Sequence, residues 1–156
     1  MSGFFNRIKN FVTGGGVEMT LQINNECYLR KPFDVELKMQ VDNAAIEAEL
    51  IYIDLKYIES VEVQVTTHSA QGHSQSRTVR KNSVLYEDRI FIEQDFVLEA
   101  DQDYTYVNTI QLPLEAMPSF DGIHSKLIWS LQAFIQKSGN DPESEVLVFE
   151  PLYEIL

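Results

Sequence analysis

The fold class is decided by the stretch Phe33-Asp34-Val35-Glu36-Leu37-Lys38-Met39-Gln40-Val41, at residues 33–41. Apolar and polar residues alternate strictly through it, and this period of two is typical of a β-strand with one buried and one exposed face. Residues 17–23 alternate in the same way. Both segments are therefore predicted to be strands of a sheet that covers a core.

The same period continues along the chain and predicts about eight short strands, which is typical of a β-sandwich or barrel. A bend or bulge is expected at Glu59 and Ser60. Trp129 is predicted to lie in the core between two sheets. The further alternating sets are Ile51, Ile53, Leu55 and Tyr57; Val61, Val63 and Val65; Ile90, Ile92, Phe96 and Leu98; Tyr104, Tyr106, Ile110 and Leu112; Leu127, Trp129, Leu131, Ala133 and Ile135; and Val146 to Phe149.

Two polar segments interrupt this pattern. Residues 66–82 are aperiodic and almost free of apolar side chains, which favours an exposed hairpin loop or a mobile arm, and residues 138–145 are a second such connection. The first segment carries three cations and no acidic residue, whereas residues 84–103 carry seven acidic residues against one arginine. A basic loop on an acidic body is expected.

Length and composition indicate one globular domain. The 156 residues can bury one core without metal or disulfide support. The net charge of −12 opposes phosphate binding, so we expect no nucleic-acid partner. Cys27 is the single cysteine and lacks zinc-ligand spacing, which favours a reducing compartment and a cytoplasmic location. No apolar run approaches the roughly 20 residues that cross a bilayer.

Residues 4–12 have a different period. Apolar side chains recur at helical spacing with polar ones opposite, and Gly14-Gly15-Gly16 would end such a helix. The interleaved polar residues do not fit a signal peptide. We expect an amphipathic helix and glycine-rich hinge at residues 1–16 and a sandwich domain at residues 17–156. The helix either docks on its own sandwich or inserts into a membrane surface or a partner's groove.

A second group of residues resembles a known family. Gln111-Leu112-Pro113, then Pro118-Ser119-Phe120-Asp121-Gly122 and the strand around Trp129-Ser130-Leu131-Gln132-Ala133, resemble the N-terminal domain of arrestins. That family has Leu-Pro, then Pro-Ser-Phe-acid-Gly, then a strand of the form aromatic-x-Leu-x-Ala. The opening Ser2-Gly3-Phe4-Phe5-Asn6-Arg7-Ile8-Lys9 is similar to bacterial sporulation-control proteins, an arrestin-like group.

This resemblance covers most of the chain and implies an all-β, immunoglobulin-like or arrestin-like sandwich with an adaptor role. It nominates no catalytic residue. The chain departs from the pattern at Asn108, where arrestin-like chains often carry an aromatic residue. Its 156 residues correspond to one of the two sandwiches of a complete arrestin, so we expect either an isolated N-terminal domain or a stand-alone relative. Roles that use both arrestin domains are therefore not carried over.

No catalytic, cofactor or metal site is predicted. His68 and His73 are five residues apart in one segment, but zinc sites need three or four ordered ligands. Asp121, His124 and Ser125 are close in the sequence, whereas the members of a catalytic triad normally come from separate elements. Cys27 has no partner histidine, and no glycine-rich loop carries the Lys-Ser/Thr of a phosphate site.

These observations predict a non-catalytic adaptor or scaffold that binds protein partners through sheet edges and loops. A regulatory role would fit such a protein. The partner is either another protein or a second copy of this chain. The alternative is a peripheral membrane protein anchored by residues 4–12, and an enzyme built from convergent carboxylates is least favoured. The residues predicted to bind partners are His68, His73, Arg77, Arg80, Lys81, Phe4, Phe5, Ile8 and Phe11.

Overall fold

A computed structural model describes residues 16–154, and that part of the chain is all β-structure without a helix. The predicted helix at residues 4–12 lies outside the described residues. The strands are β1 (Val17–Ile23), β2 (Phe33–Val41), β3 (Ile46–His68), β4 (Ser74–Leu98), β5 (Asp103–Ile110), β6 (Phe120–Asp121), β7 (Ser125–Gln136) and β8 (Leu147–Phe149).

The strands form two antiparallel sheets. The smaller sheet has the order β1-β2-β5, and the larger has the order β4-β3-β7-β6, with β8 also paired to β7. Buried side chains from both sheets make one core cluster. The predicted sandwich is confirmed.

The alternating pattern sets the register of the smaller sheet. Leu21 of β1 lies opposite Leu37 of β2, and both are buried. A slip by one residue would turn every such side chain to solvent, so the register is fixed by burial. Trp129 of β7 is fully buried, which confirms its predicted place in the core. Its ring stacks on Tyr57 of β3 with centroids 4.4 Å apart.

Residues 66–82 are exposed and belong to a hairpin, as predicted, but the interpretation of the whole segment as a loop was wrong. β3 runs unbroken to His68, β4 begins at Ser74, and the turn between them is closed by the Ser69 amide, which donates to the His73 carbonyl at 2.8 Å. This part of the hairpin is exposed on both faces, so it needs no apolar period, and hydrophobic patterning gives no strand signal there.

The larger sheet has two irregularities between β3 and β4. Its register shifts between Ile51 and Tyr52 and again between Tyr57 and Ile58. The second shift lies close to the bulge that was predicted at Glu59 and Ser60. At this shift the extra residue is Leu85 of β4, which has no partner on β3. The bulge therefore lies on β4, and the side chains of β3 continue to alternate between the two faces of the sheet.

Candidate protein-binding surface

The β3–β4 hairpin extends beyond the sandwich. The neighbouring strand β7 accompanies β3 as far as Val61, and the His124 carbonyl accepts a last hydrogen bond from the Glu62 amide at 2.8 Å. Beyond that point β3 and β4 pair only with each other among the described residues. We call residues 62–80 the arm. At the usual rise of a strand it projects by about 20 Å.

The arm has an apolar face that is open to solvent. Val61 at the base of the arm and Val63 and Val65 within it continue the side of β3 on which Tyr57 packs into the core, because β3 has no extra residue between Tyr57 and Val65. Val63 lies opposite Val79, and these two side chains are 49% and 40% exposed. The cross-strand partners of Val61 and Val65 are Lys81 and Arg77. We call this set the valine face; its members are Val61, Val63, Val65, Val79, Arg77 and Lys81.

The opposite face of the arm is polar and largely paired within itself. The Arg80 guanidinium donates to the Glu62 carboxylate at 2.6 and 3.2 Å, and the Thr66 and Ser76 hydroxyls are 3.2 Å apart. The hydrogen bonds from Arg80 lower the pKa of Glu62. This ion pair therefore persists above the ordinary carboxyl pKa and is lost as the pH falls through the lowered value.

The structure separates the basic residues that the sequence grouped together. Arg77 and Lys81 lie on the valine face and make no ion pair with a described residue. Arg80 lies on the other face and forms an ion pair with Glu62, in which both side chains remain exposed to solvent. His73 contributes its backbone to the turn, and His68 ends β3 opposite Ser74. The other predicted binding residues, Phe4, Phe5, Ile8 and Phe11, lie outside the described residues.

A charged cluster that sequence reasoning missed stiffens the base of the hairpin. Asp54 of β3 is only 6% exposed and accepts two hydrogen bonds from the Arg89 guanidinium of β4, at 2.9 and 3.3 Å. The same guanidinium lies 3.9 Å from the centroid of the Tyr52 ring, which stacks on Phe134 of β7. The hydrogen bonds to Asp54 raise the pKa of Arg89, so the guanidinium stays charged.

The residues considered for catalysis have ordinary structural roles. Asp121 forms an ion pair with Lys126 at 3.4 Å, and His124 offers its backbone carbonyl to β3. Within residues 16–154 no three histidine, cysteine or carboxylate side chains are grouped as metal ligands would be. Burial of Cys27 raises the pKa of its thiol to about 12, which keeps it protonated near neutral pH.

Native Cys27 is therefore expected to react slowly with iodoacetamide at pH 8. The thiolate is the reacting species, so both burial and the raised pKa protect it, and alkylation should be at least roughly tenfold slower than in the urea-unfolded chain. Mass spectrometry of timed samples measures the two rates. Equal rates in the folded and unfolded protein would contradict the burial of this thiol.

The fold is similar to that of solved structures. The crystal structure of the sporulation control protein Spo0M from Bacillus subtilis matches over 91% of this chain and 51% of that chain, with a TM-score of 0.56 and 14% sequence identity. The fold is arrestin-like. The chain spans about half the length of Spo0M. No family model and no curated protein matches the sequence.

The match confirms the arrestin-like resemblance that the sequence carried around residues 111–133, and the structure explains those residues physically. The Trp129 indole donates to the Met117 carbonyl at 2.7 Å, which anchors the segment before the Pro-Ser-Phe motif on the core. A Cβ atom at Gly122 would lie 2.6 Å from the Phe120 ring and 3.0 Å from the Ser125 carbonyl. A side chain here would have to displace the exposed Phe120 ring and would press on the Ser125 carbonyl, so the turn that starts β7 favours glycine at this position.

At 14% identity the arrestin-like match shows the fold and nothing about partners. None of the residues from 16 to 154 forms a helix with the length and apolar character that crossing a bilayer demands. Several large apolar side chains of the described residues are exposed, and the valine face is the set among them that lies on a projecting ribbon beside two cations without an ion pair.

Proposed function

We propose that this protein is a non-catalytic adaptor domain that binds a protein partner through the valine face of the arm. The observation that carries the proposal is the exposed cross-strand pair of Val63 and Val79. An apolar row on a ribbon of two strands is poorly stabilised alone, because nothing packs against it. Exposed apolar patches of this kind mark interaction sites.

The charges beside the valine face support a particular kind of partner. Arg77 and Lys81 flank the apolar pair and have no ion pair among the described residues. A protein surface with an apolar centre and carboxylates around it would complement both features. The protonated thiol of Cys27 supports the non-catalytic interpretation, and the single cysteine is consistent with a cytoplasmic location.

Two matched double variants test this proposal. Val63→Glu/Val79→Glu places two negative charges on the valine face, and Gln64→Glu/Thr78→Glu places the same charges one residue along, on the opposite face of the arm. Each variant puts like charges directly across the ribbon, so their effects on the stability of the arm should be similar.

The readout is the binding of a partner that the immobilised wild-type protein retains from a lysate of its own cells. The valine-face variant is expected to bind it at least about tenfold more weakly, since it buries charge in an apolar contact, and the opposite-face variant should bind like the wild type. Equal losses in both variants, or none in either, would contradict the proposal.

A further inference from the structure

The strand β4 has an open edge along its length. The order β4-β3-β7-β6 places it at the border of the larger sheet, and among residues 16–154 it pairs only with β3. It has 25 residues, from Ser74 to Leu98. The unpaired amides and carbonyls of a long edge strand are a template for another strand, unless charge or cover prevents pairing.

The charges on β4 are sorted along the strand. The first third carries Arg77, Arg80 and Lys81 and no acidic residue. The second half carries acidic residues and one cation, Arg89, which is already held by Asp54. Those acidic residues are Glu87, Asp88, Glu93 and Asp95.

The border between the basic and acidic parts is apolar and exposed. Val84 and Leu85 lie between them, and each has about half of its surface open to solvent. Leu85 is omitted from the pairing with β3 at the second register shift, so it is not fixed by the β3 register. The edge therefore presents a basic part, an apolar centre and an acidic part in that order.

We propose that β4 pairs antiparallel with β4 of a second copy of this chain about a twofold axis. With the axis near Val84, residues 80–81 of one copy lie level with residues 87–88 of the other, so each basic part meets an acidic part. A parallel arrangement would place like charges together. Charges that only protected an edge would not need to be sorted, whereas sorted charges make the edge complementary to itself.

This interface uses the strand edge and leaves the exposed Val63–Val79 pair uncovered, and it shares only Lys81 with the valine face, so it does not rest on the proposed function. Three samples of the purified full chain test it by sedimentation equilibrium. They are the wild type, Arg80→Glu/Lys81→Glu, and Glu87→Lys/Asp88→Lys. All four positions are exposed, so the substitutions remove no core contact. Arg80→Glu also removes the exposed ion pair with Glu62 of the same chain, and the mixing experiment below controls for this effect.

The wild type is expected to dimerise at micromolar to submillimolar concentration. Each variant should associate at least about tenfold more weakly, because like charges then face each other. An equal mixture of the two variants should form a dimer again, since the acidic positions 80–81 of the first meet the basic positions 87–88 of the second. A variant that had failed to fold would not recover on mixing.

A monomeric wild type, variants that dimerise as the wild type does, or a mixture that stays monomeric would each overturn the proposal. Dimerisation that occurs only after residues 1–13 are removed would also overturn it, because the β4 edge would then be occupied by residues 1–13 in the full chain. These measurements contain no other protein, so they are independent of whether the valine face binds a partner.

Discussion

Replacing Trp129 with alanine is expected to lower the free energy of unfolding by about 3–5 kcal/mol. The indole is fully buried and packs between Tyr57 and Phe149, with ring centroids 4.4 and 6.2 Å away. The substitution leaves a cavity between the sheets and removes the hydrogen bond to the Met117 carbonyl. Urea unfolding followed by circular dichroism measures the change.

Phe91→Ala is the matched control, because it also removes an aromatic ring from the larger sheet. Phe91 is 65% exposed, so its loss should change the free energy of unfolding by no more than about 0.5 kcal/mol. If the two variants were equally stable, the core position of Trp129 would be contradicted.

Replacing Arg89 with alanine is expected to cost about 2–3 kcal/mol of stability, because it leaves the buried Asp54 carboxylate without its partner. The expected loss is below the range for a fully buried pair, since the Arg89 side chain is 43% exposed. The same substitution removes the contact of the guanidinium with the Tyr52 ring. Thermal and urea unfolding of the purified variant measure the loss.

Asp54→Ala is the informative comparison for this pair. It leaves the half-exposed Arg89 free to turn toward water, so the expected loss is only about 1 kcal/mol. A larger loss of stability for Asp54→Ala than for Arg89→Ala would contradict the interpretation that Arg89 stabilises the fold by pairing with the buried carboxylate.

The parts of the fold that follow from the sequence are those where one face of a strand is buried. In β2 every second residue from Phe33 to Val41 is buried, so the period of two identifies both the strand and its core face. The arrestin-like pattern around Gly122 was also readable, because the turn there tolerates few residues.

The arm and the Asp54–Arg89 pair could not be read in this way. The row of Val61, Val63 and Val65 was readable, but beyond it both faces of the ribbon are exposed and have no hydrophobic period, so residues 66–82 looked like a loop. The ion pair joins residues 35 positions apart, and only the register between β3 and β4 brings them together. The sorting of charge along residues 77–95 was visible in the sequence, but the position of β4 at a sheet edge was not.

The most direct test of the account is photocrosslinking from the arm in the cells that make the protein. Benzoylphenylalanine is placed at position 63, on the valine face, or at position 64, on the opposite face of the same strand. Position 63 is expected to give a covalent adduct with another protein, and position 64 to give little or none. Equal adducts from both positions, or an adduct from position 64 alone, would contradict a partner bound on the valine face.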